Sequence, residues 1–109
     1  MQLRVEVLEP RQGATIRAGR EASVRVSARD VAGEGQLAGL GYVVRQAVGG
    51  VTVDSSVIRF AARADSTHTF LFTVPATLPG NTQLHLYGIA FGPATESRLT
   101  DVLGILVSQ

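Results

Sequence analysis

The stretch Glu21–Asp30, EASVRVSARD, decides the fold class because apolar and polar residues alternate along it without a break. A period of two is that of a β-strand, whose successive side chains point to opposite faces. One face is apolar and the other carries hydroxyls and arginines, which is typical of a strand with one buried and one solvated side. We therefore predict a half-buried strand whose inward residues are Ala22, Val24, Val26 and Ala28.

Further segments are also predicted to be strands, and prolines and glycines separate them. They lie at 3–7, 67–74, 82–91 and 101–108, with a shorter extended piece at 15–17. No segment repeats apolar residues at the helical period of 3.6, and the glycine-rich stretch 31–41 is predicted to be a loop. Short strands joined by turns are typical of an antiparallel sandwich or a small barrel. We predict one all-β domain, residues 1–109, with about seven strands.

The run VGGV at 48–51 predicts a β-hairpin, because a two-residue Gly-Gly connection favours the primed turns that match strand twist. Closing the hairpin there pairs Tyr42 with Val57 on the buried face. The same register places Arg45 directly opposite Asp54 on the other face. The Arg45–Asp54 pair is therefore the test of this register.

Composition excludes several classes of function. The formal net charge is +1, and phosphate binding needs a clustered basic surplus, so we expect no nucleic-acid partner. Cysteine and lysine are both absent, which excludes disulfides, thiolate zinc sites, cysteine nucleophiles and Schiff-base chemistry. No apolar run approaches the roughly 20 residues that a membrane helix needs, so we expect no membrane insertion.

Three segments carry a resemblance: VEVLEPRQGATIRAGREASVRVSARD at 5–30, LPGNTQLHLYGIAFG at 78–92 and LTDVLGILVS at 99–108. A strand, a Pro-x-x-Gly turn, a short segment ending in Gly and an alternating strand closing on Asp resemble bacterial immunoglobulin-like and fibronectin type III-like domains. The Cys pair and core Trp of antibody domains are absent. The resemblance implies a two-sheet immunoglobulin-like sandwich that serves as a spacer, adhesive module or repeating unit of an extracellular protein.

Residues suited to catalysis or metal binding are sparse. Asp65, Ser66 and His68 are the residue types of a serine-nucleophile triad. They lie within four consecutive residues at a strand entry, where alternation sends neighbours to opposite faces. His85 lies on a separate strand and the carboxylates are scattered singly, so no cluster of metal ligands is indicated. We therefore expect no enzyme activity, no cofactor and no metal site.

The two C-terminal strands are apolar on both faces, whereas a strand of a two-layer sandwich has one solvated face. One interpretation is that loops, or the connection at 58–66, cover the second row. The other is an exposed apolar stripe, which usually marks a protein interface. The residues of this candidate interface are Tyr87, Ile89 and Phe91, beside Leu103, Ile105 or Val107.

These observations favour a non-catalytic structural or adhesive module of an extracellular or cell-surface protein. Its partner would be a protein, including further copies of the chain in an oligomer or filament. The alternative is an accessory module that binds a ligand such as carbohydrate, with an aromatic platform limited to Tyr42, Tyr87 and Phe91 because the chain has no Trp. The chain opens without the apolar segment of a signal peptide, so export requires a leader that is not in this sequence.

Overall fold

The structure, a computed structural model, describes residues 2–94, 96–100 and 102–109. The described residues form nine β-strands and no α-helix, which confirms the all-β prediction. Two of the strands, β2 and β8, have only three residues each, which accounts for the difference from the expected seven. Position 101 of the predicted strand 101–108 lies outside the described residues. The strands are β1 (Leu3–Glu9), β2 (Thr15–Arg17), β3 (Glu21–Asp30), β4 (Leu37–Gln46), β5 (Thr52–Arg63), β6 (Asp65–Thr73), β7 (Gln83–Phe91), β8 (Ser97–Leu99) and β9 (Leu103–Ser108).

The strands form two sheets that pack face to face. The smaller sheet has the order β1-β3-β6, and the larger has the order β2-β9-β7-β4-β5, with β8 paired to the end of β7. Neighbouring strands run antiparallel, except β2 and β9, which are parallel. Strands β5 and β6 each occupy one edge of their sheet. The architecture is a two-layer sandwich, which is one of the two architectures that the alternation predicts and the one that the family resemblance implies.

The core lies between the sheets and is built from alternate residues of each strand. On β3, Val24, Val26 and Ala28 are buried as predicted, and Ala22 packs against them while partly buried. A fully buried side chain of this kind contributes about 1.5–3 kcal/mol. The larger sheet supplies Leu40, Tyr42, Val44, Leu84 and Leu86, none of which is more than 1% exposed.

The prediction that 31–41 is a loop is wrong at its C-terminal end, because β4 begins there and its residues are buried. Gly33 and Gly35 have positive φ values and are turn residues, whereas Gly39 and Gly41 serve close packing within β4. A Cβ atom on Gly39 would lie 2.8 Å from the carbonyl oxygen of Ile58, and one on Gly41 would overlap the carbonyl oxygen of Ser56. Strand β5 therefore lies against β4 more closely than a larger residue would allow.

The predicted register of the β4–β5 hairpin is also wrong, because Arg45 does not lie opposite Asp54. Asp54 pairs with Val44, and Arg45 pairs with Thr52, which leaves Val53 as an extra residue in the ladder. A shift of one residue exchanges the two faces of a strand. Asp54 consequently points toward the core side of the sheet instead of toward solvent.

The connection between β4 and β5 is longer than the two residues that Gly-Gly predicts. The amide of Gln46 donates to the carbonyl of Val51 at 2.8 Å, so residues 47–50 close the turn. Gly49 and Gly50 have φ values of 85° and 68°, a conformation that glycine adopts without steric cost. The two glycines are turn residues as predicted, in a longer turn.

A buried carboxylate, that of Asp30, ends β3. Its Oδ1 accepts hydrogen bonds from the amides of Gln2 and Ala32, and its Oδ2 accepts one from the amide of Gln36, each at 3.1 Å. The bond from Gln2 is the main cause that lowers the pKa of Asp30, although burial acts in the opposite direction. The bonds from Gln36 and Ala32 lower the pKa of this carboxyl further. Asp30 thus ties the start of β1 and the β3–β4 connection to the end of β3.

Candidate interaction surface

Strand β7 directs Tyr87, Ile89 and Phe91 to the outer face of the larger sheet. Leu86 and Ala90 are fully buried in the core, and alternation sends the residues beside them outward. The three outward side chains are half-buried. This row is the part of the candidate interface that lies on the outer surface.

Neighbouring strands extend the row into an apolar patch. On β4, Val43 pairs with Tyr87, and on β8, Leu99 pairs with Ile89. Val57 on β5 lies in the same cross-strand row as Ile89, two strands away. Val57 is 44% exposed and Leu99 is 56% exposed, so the apolar side chains at the β5 and β8 margins of the patch are accessible to solvent. We call this surface the outer patch, and it consists of Val43, Val57, Tyr87, Ile89, Phe91 and Leu99.

Two arginines lie over the aromatic rings at the two ends of the outer patch. The guanidinium carbon of Arg59 is 4.6 Å from the ring centroid of Phe91, and that of Arg45 is 5.9 Å from the ring centroid of Tyr87. Arg59 reaches Phe91 across Gly39, where an added Cβ atom would lie 3.4 Å from both side chains. Such cation–π contacts contribute about 0.5–1 kcal/mol at exposed sites. Because Gly39 of β4 has no side chain, Arg59 of β5 can reach over it and cover the ring of Phe91 on β7.

The outer face of the larger sheet carries positive charge without carboxylates across β4, β5 and β7. Arg45 and Arg59 lie on this face, and neither forms an ion pair within the ranges that the structure describes. Asp54 is the one acidic residue of these three strands. It points to the other side, where its Oδ2 accepts a hydrogen bond from the Tyr42 hydroxyl at 2.6 Å.

The outer face of the smaller sheet differs in chemistry. Arg25 pairs with Glu9 and Arg29 pairs with Asp65 across the strands, and serines and threonines occupy most of the positions between them. Leu71 is 66% exposed and has polar neighbours on this face. The apolar, acid-free surface thus belongs to the larger sheet.

The placement of the second half of the predicted stripe is wrong. Ile105 and Val107 are 3% and 1% exposed and belong to the core, and Leu103 packs against the core while partly buried. The cause is the register of β9 on β7, which pairs Ile105 with Leu84 and Leu103 with Leu86. Both partners point inward, and cross-strand neighbours share a face, so the three residues of β9 face the interior.

Sequence reasoning missed Val43, Val57 and Leu99 as members of the outer patch. The hairpin register that it favoured placed Val57 beside Tyr42 on the buried face. Leu99 lies in the three-residue strand β8, which is too short to show an alternation. The segment 58–66 is not a connection over the patch, because β5 continues to Arg63 and β6 begins at Asp65; of this segment, the Arg59 side chain covers the ring of Phe91.

The residues of the candidate triad do not converge. Asp65 lies on the outer side of the smaller sheet, whereas Ser66 and His68 alternate onto the inner side. The imidazole of His68 packs against Phe70, with the ring centroids 4.6 Å apart. Among the described residues, no three His, Cys, Asp or Glu side chains are grouped so that they could hold a metal ion. The same residues contain no helix that is long and apolar enough to cross a membrane.

Several solved structures share this architecture, although no family model and no curated protein matches the chain. The fibronectin(III)-like modules of Clostridium thermocellum CbhA are 16% identical at a TM-score of 0.60, over 96% of both chains. The CARDB domain of the PF1109 protein from Pyrococcus furiosus is 11% identical at a TM-score of 0.58, over 97% of this chain and 87% of that one. The chain is an immunoglobulin-like β-sandwich.

Another match lies within a much larger protein. The β-glucosidase from Listeria innocua is 9% identical at a TM-score of 0.61, over 99% of this chain but only 16% of the glucosidase. Identities this low show a shared fold and transfer no activity. The predicted resemblance to immunoglobulin-like and fibronectin-like domains is thus confirmed for the fold.

Proposed function

We propose that this immunoglobulin-like sandwich is a non-catalytic structural or adhesive module that binds another protein through the outer patch. The observation that carries the proposal is the contrast between the two outer faces of the sandwich. One face presents contiguous aromatic and aliphatic side chains, and the other presents hydroxyls and charges of both signs. Contiguous apolar surface with aromatic anchors is typical of protein interfaces.

The dimensions of the outer patch suit the centre of a protein interface. From Tyr87 to Phe91 the row is about 13 Å long, and from β5 to β8 the patch is about 14 Å wide, at the usual spacings of a sheet. Binding energy in interfaces is concentrated in such a central cluster, with polar residues around it. The half-buried rings would serve as rigid anchors, and exposed Val57 and Leu99 would add apolar area at the sides.

The buried polar groups support a non-catalytic role because each has a structural partner. Asp30 holds backbone amides, and the hydroxyl of Tyr42 is bonded to Asp54. Within the described residues, no buried side-chain nitrogen or oxygen lacks a hydrogen-bond partner. A catalytic site instead keeps polar groups directed at the position of the substrate.

We expect the module to act in an extracellular or cell-surface protein, the setting of the bacterial immunoglobulin-like domains that its sequence resembles. Its partner is either a different protein or further copies of this chain in an oligomer or filament. Both partners would occupy the same surface, so one experiment tests both.

Carbohydrate binding is the second candidate, since Tyr87 and Phe91 place two aromatic rings on a flat sheet face. A sugar stacks on an open ring face. The guanidinium groups of Arg45 and Arg59 lie over one face of each ring and reduce that surface. The geometry therefore favours a protein partner over carbohydrate.

The proposed function is tested by site-specific photo-crosslinking in cells that express the protein. A photoreactive phenylalanine analogue replaces Val57 or Leu99 in the outer patch, and Leu71 on the opposite face serves as the matched control. We expect discrete protein adducts from positions 57 and 99 and none from position 71. Adducts of two copies of this chain would identify self-association. Equal patterns from all three positions, or no protein adduct from the patch, would contradict the proposal.

A further inference from the structure

We infer that the surface recognised by the outer patch is acidic: the module binds a protein segment in which apolar residues are flanked by carboxylates. The inference rests on the proposed function and adds the chemistry of the partner. It follows from the position and the free donors of Arg45 and Arg59, and from the absence of acidic side chains on the outer face of strands β4, β5, β7 and β8.

The two arginines bracket the apolar row. Arg59 pairs with Gly39, which is six residues from Arg45 along β4, so the two positions are about 20 Å apart in the strand direction. Phe91 also pairs with Gly39 and so lies level with Arg59, and Tyr87 lies between the two positions. Each ring lies beneath one guanidinium group. A partner segment that covers the row therefore reaches both cations.

Both guanidinium groups have donors available for carboxylates. A guanidinium that stacks on a ring uses its flat face, and its N–H donors remain directed outward along its edges. Within the part of the chain that the structure describes, Arg45 and Arg59 have no ion-pair partner. Covering an arginine without supplying a partner is costly, because its charge loses water and gains nothing in return. A partner that covers the patch and also brings carboxylates avoids this cost.

The same face selects against a basic partner. The strands β4, β5 and β7 present no carboxylate there, since Asp54 points inward and is held by Tyr42. A basic segment would meet like charges at both ends of the row, which lowers affinity and slows association. The outer face of the smaller sheet does not have this single sign of charge, because Arg25 lies opposite Glu9.

The test uses the intact protein and two synthetic peptides of equal length and equal apolar content. In one peptide glutamates flank a central Leu-Phe-Leu segment, and in the other lysines do. Nuclear magnetic resonance titration of the ¹⁵N-labelled protein measures both affinity and site. We expect the glutamate peptide alone to shift amides of β4, β5 and β7, with an affinity that falls as salt rises. The double variant Arg45→Glu/Arg59→Glu is expected to bind about tenfold more weakly, whereas Arg25→Glu binds like the wild type.

The neutral variant Arg45→Gln/Arg59→Gln covers the case in which charge reversal disturbs folding, and it is expected to lose the dependence on salt. Equal binding of both peptides, binding of neither, or shifts confined to the smaller sheet would overturn the inference. Photo-crosslinking separates this failure from failure of the proposed function. Adducts from position 57 to a partner segment without acidic residues, or to a second copy of this chain, would leave the proposed function standing and remove the acidic partner.

Discussion

The hydroxyl of Tyr42 donates a hydrogen bond of 2.6 Å to Oδ2 of Asp54, and this contact joins the centre of the core to the edge strand β5. Tyr42 is 1% exposed, and its ring packs edge-on against Phe70 with the centroids 5.2 Å apart. Burial is the main cause that raises the pKa of Tyr42, and the hydrogen bond and charge of Asp54 raise it further. A buried hydroxyl needs an acceptor, and the observed hairpin register supplies one.

Replacing Tyr42 by Phe removes the hydroxyl and keeps the ring. We expect the free energy of unfolding to fall by about 1–2 kcal/mol, since hydrogen bonds to charged groups contribute roughly 1.5–3 kcal/mol and Asp54 remains partly accessible to water. Denaturant unfolding of the two single variants, Tyr42→Phe and Asp54→Ala, and of the double variant measures the coupling. Strict additivity would show that the two side chains do not stabilise each other.

The raised pKa of Tyr42 predicts a loss of stability at alkaline pH. The unfolded chain ionises its tyrosines near pH 10, whereas folded Tyr42 holds its proton to higher pH. The contribution of protonated Tyr42 to the free energy of unfolding is therefore complete below about pH 10, and it declines as the pH rises above that value. Denaturant unfolding at a series of alkaline pH values measures the decline. We expect Tyr42→Phe to reduce this slope and Tyr87→Phe to retain it; equal slopes in the two variants would contradict the prediction.

The lowered pKa of Asp30 predicts the opposite dependence at acid pH. The folded state keeps this carboxylate ionised at pH values where the unfolded chain protonates it, so the stabilisation is present above about pH 4 and is lost as the pH falls toward the folded pKa. We expect Asp30→Asn to be less stable at neutral pH, because an amide offers one acceptor oxygen to three backbone amides. The difference from the wild type is expected to shrink on acidification.

Thermal unfolding across the acid range checks this dependence, and Asp65→Asn is the control because Asp65 is an exposed aspartate. A stability difference between Asp30→Asn and the wild type that stays constant from neutral to acid pH would contradict the role of the Asp30 carboxylate.

Strong alternation of apolar and polar residues was sufficient to predict β3 and its inward face. On β7 both faces are apolar, so the sequence offered a covered row or an exposed stripe for Tyr87, Ile89 and Phe91 and did not choose between them. On β9 both faces are apolar, so the local pattern could not decide whether Ile105 or Leu106 points inward. The pairing of Ile105 with Leu84, a contact between distant segments, makes that decision.

The hairpin shows a second limit of local patterns. The choice between a two-residue and a four-residue turn depends on which register satisfies the Tyr42 hydroxyl and fits β5 over Gly39 and Gly41. Neither requirement is visible in the run at 48–51. The outer patch could be predicted only in part for the same reason, because Val57 changes face with the register.

Gly41 is expected to tolerate no side chain. An alanine Cβ would overlap the carbonyl oxygen of Ser56, a backbone atom, so β5 would have to shift. We expect Gly41→Ala to lower the free energy of unfolding by about 1–3 kcal/mol, the usual range for overpacking. The control is Gly80→Ala, where the added Cβ meets only Gln109 at 3.6 Å and little change is expected. Equal stability of the two variants in denaturant unfolding would contradict the close approach of β5 to β4.

The division between core and outer patch is tested by Ile105 and Leu99, two aliphatic residues that are 3% and 56% exposed. We expect Ile105→Ala to lower the free energy of unfolding by about 2–5 kcal/mol, because it removes methyl groups from a packed interior. Leu99→Ala is expected to change that free energy by no more than about 0.5 kcal/mol, the usual range for exposed positions. Only the second variant is expected to fold like the wild type and lose affinity for a partner of the outer patch. A large loss of stability in Leu99→Ala would show that Leu99 supports the fold, and its exposure could then no longer be attributed to binding.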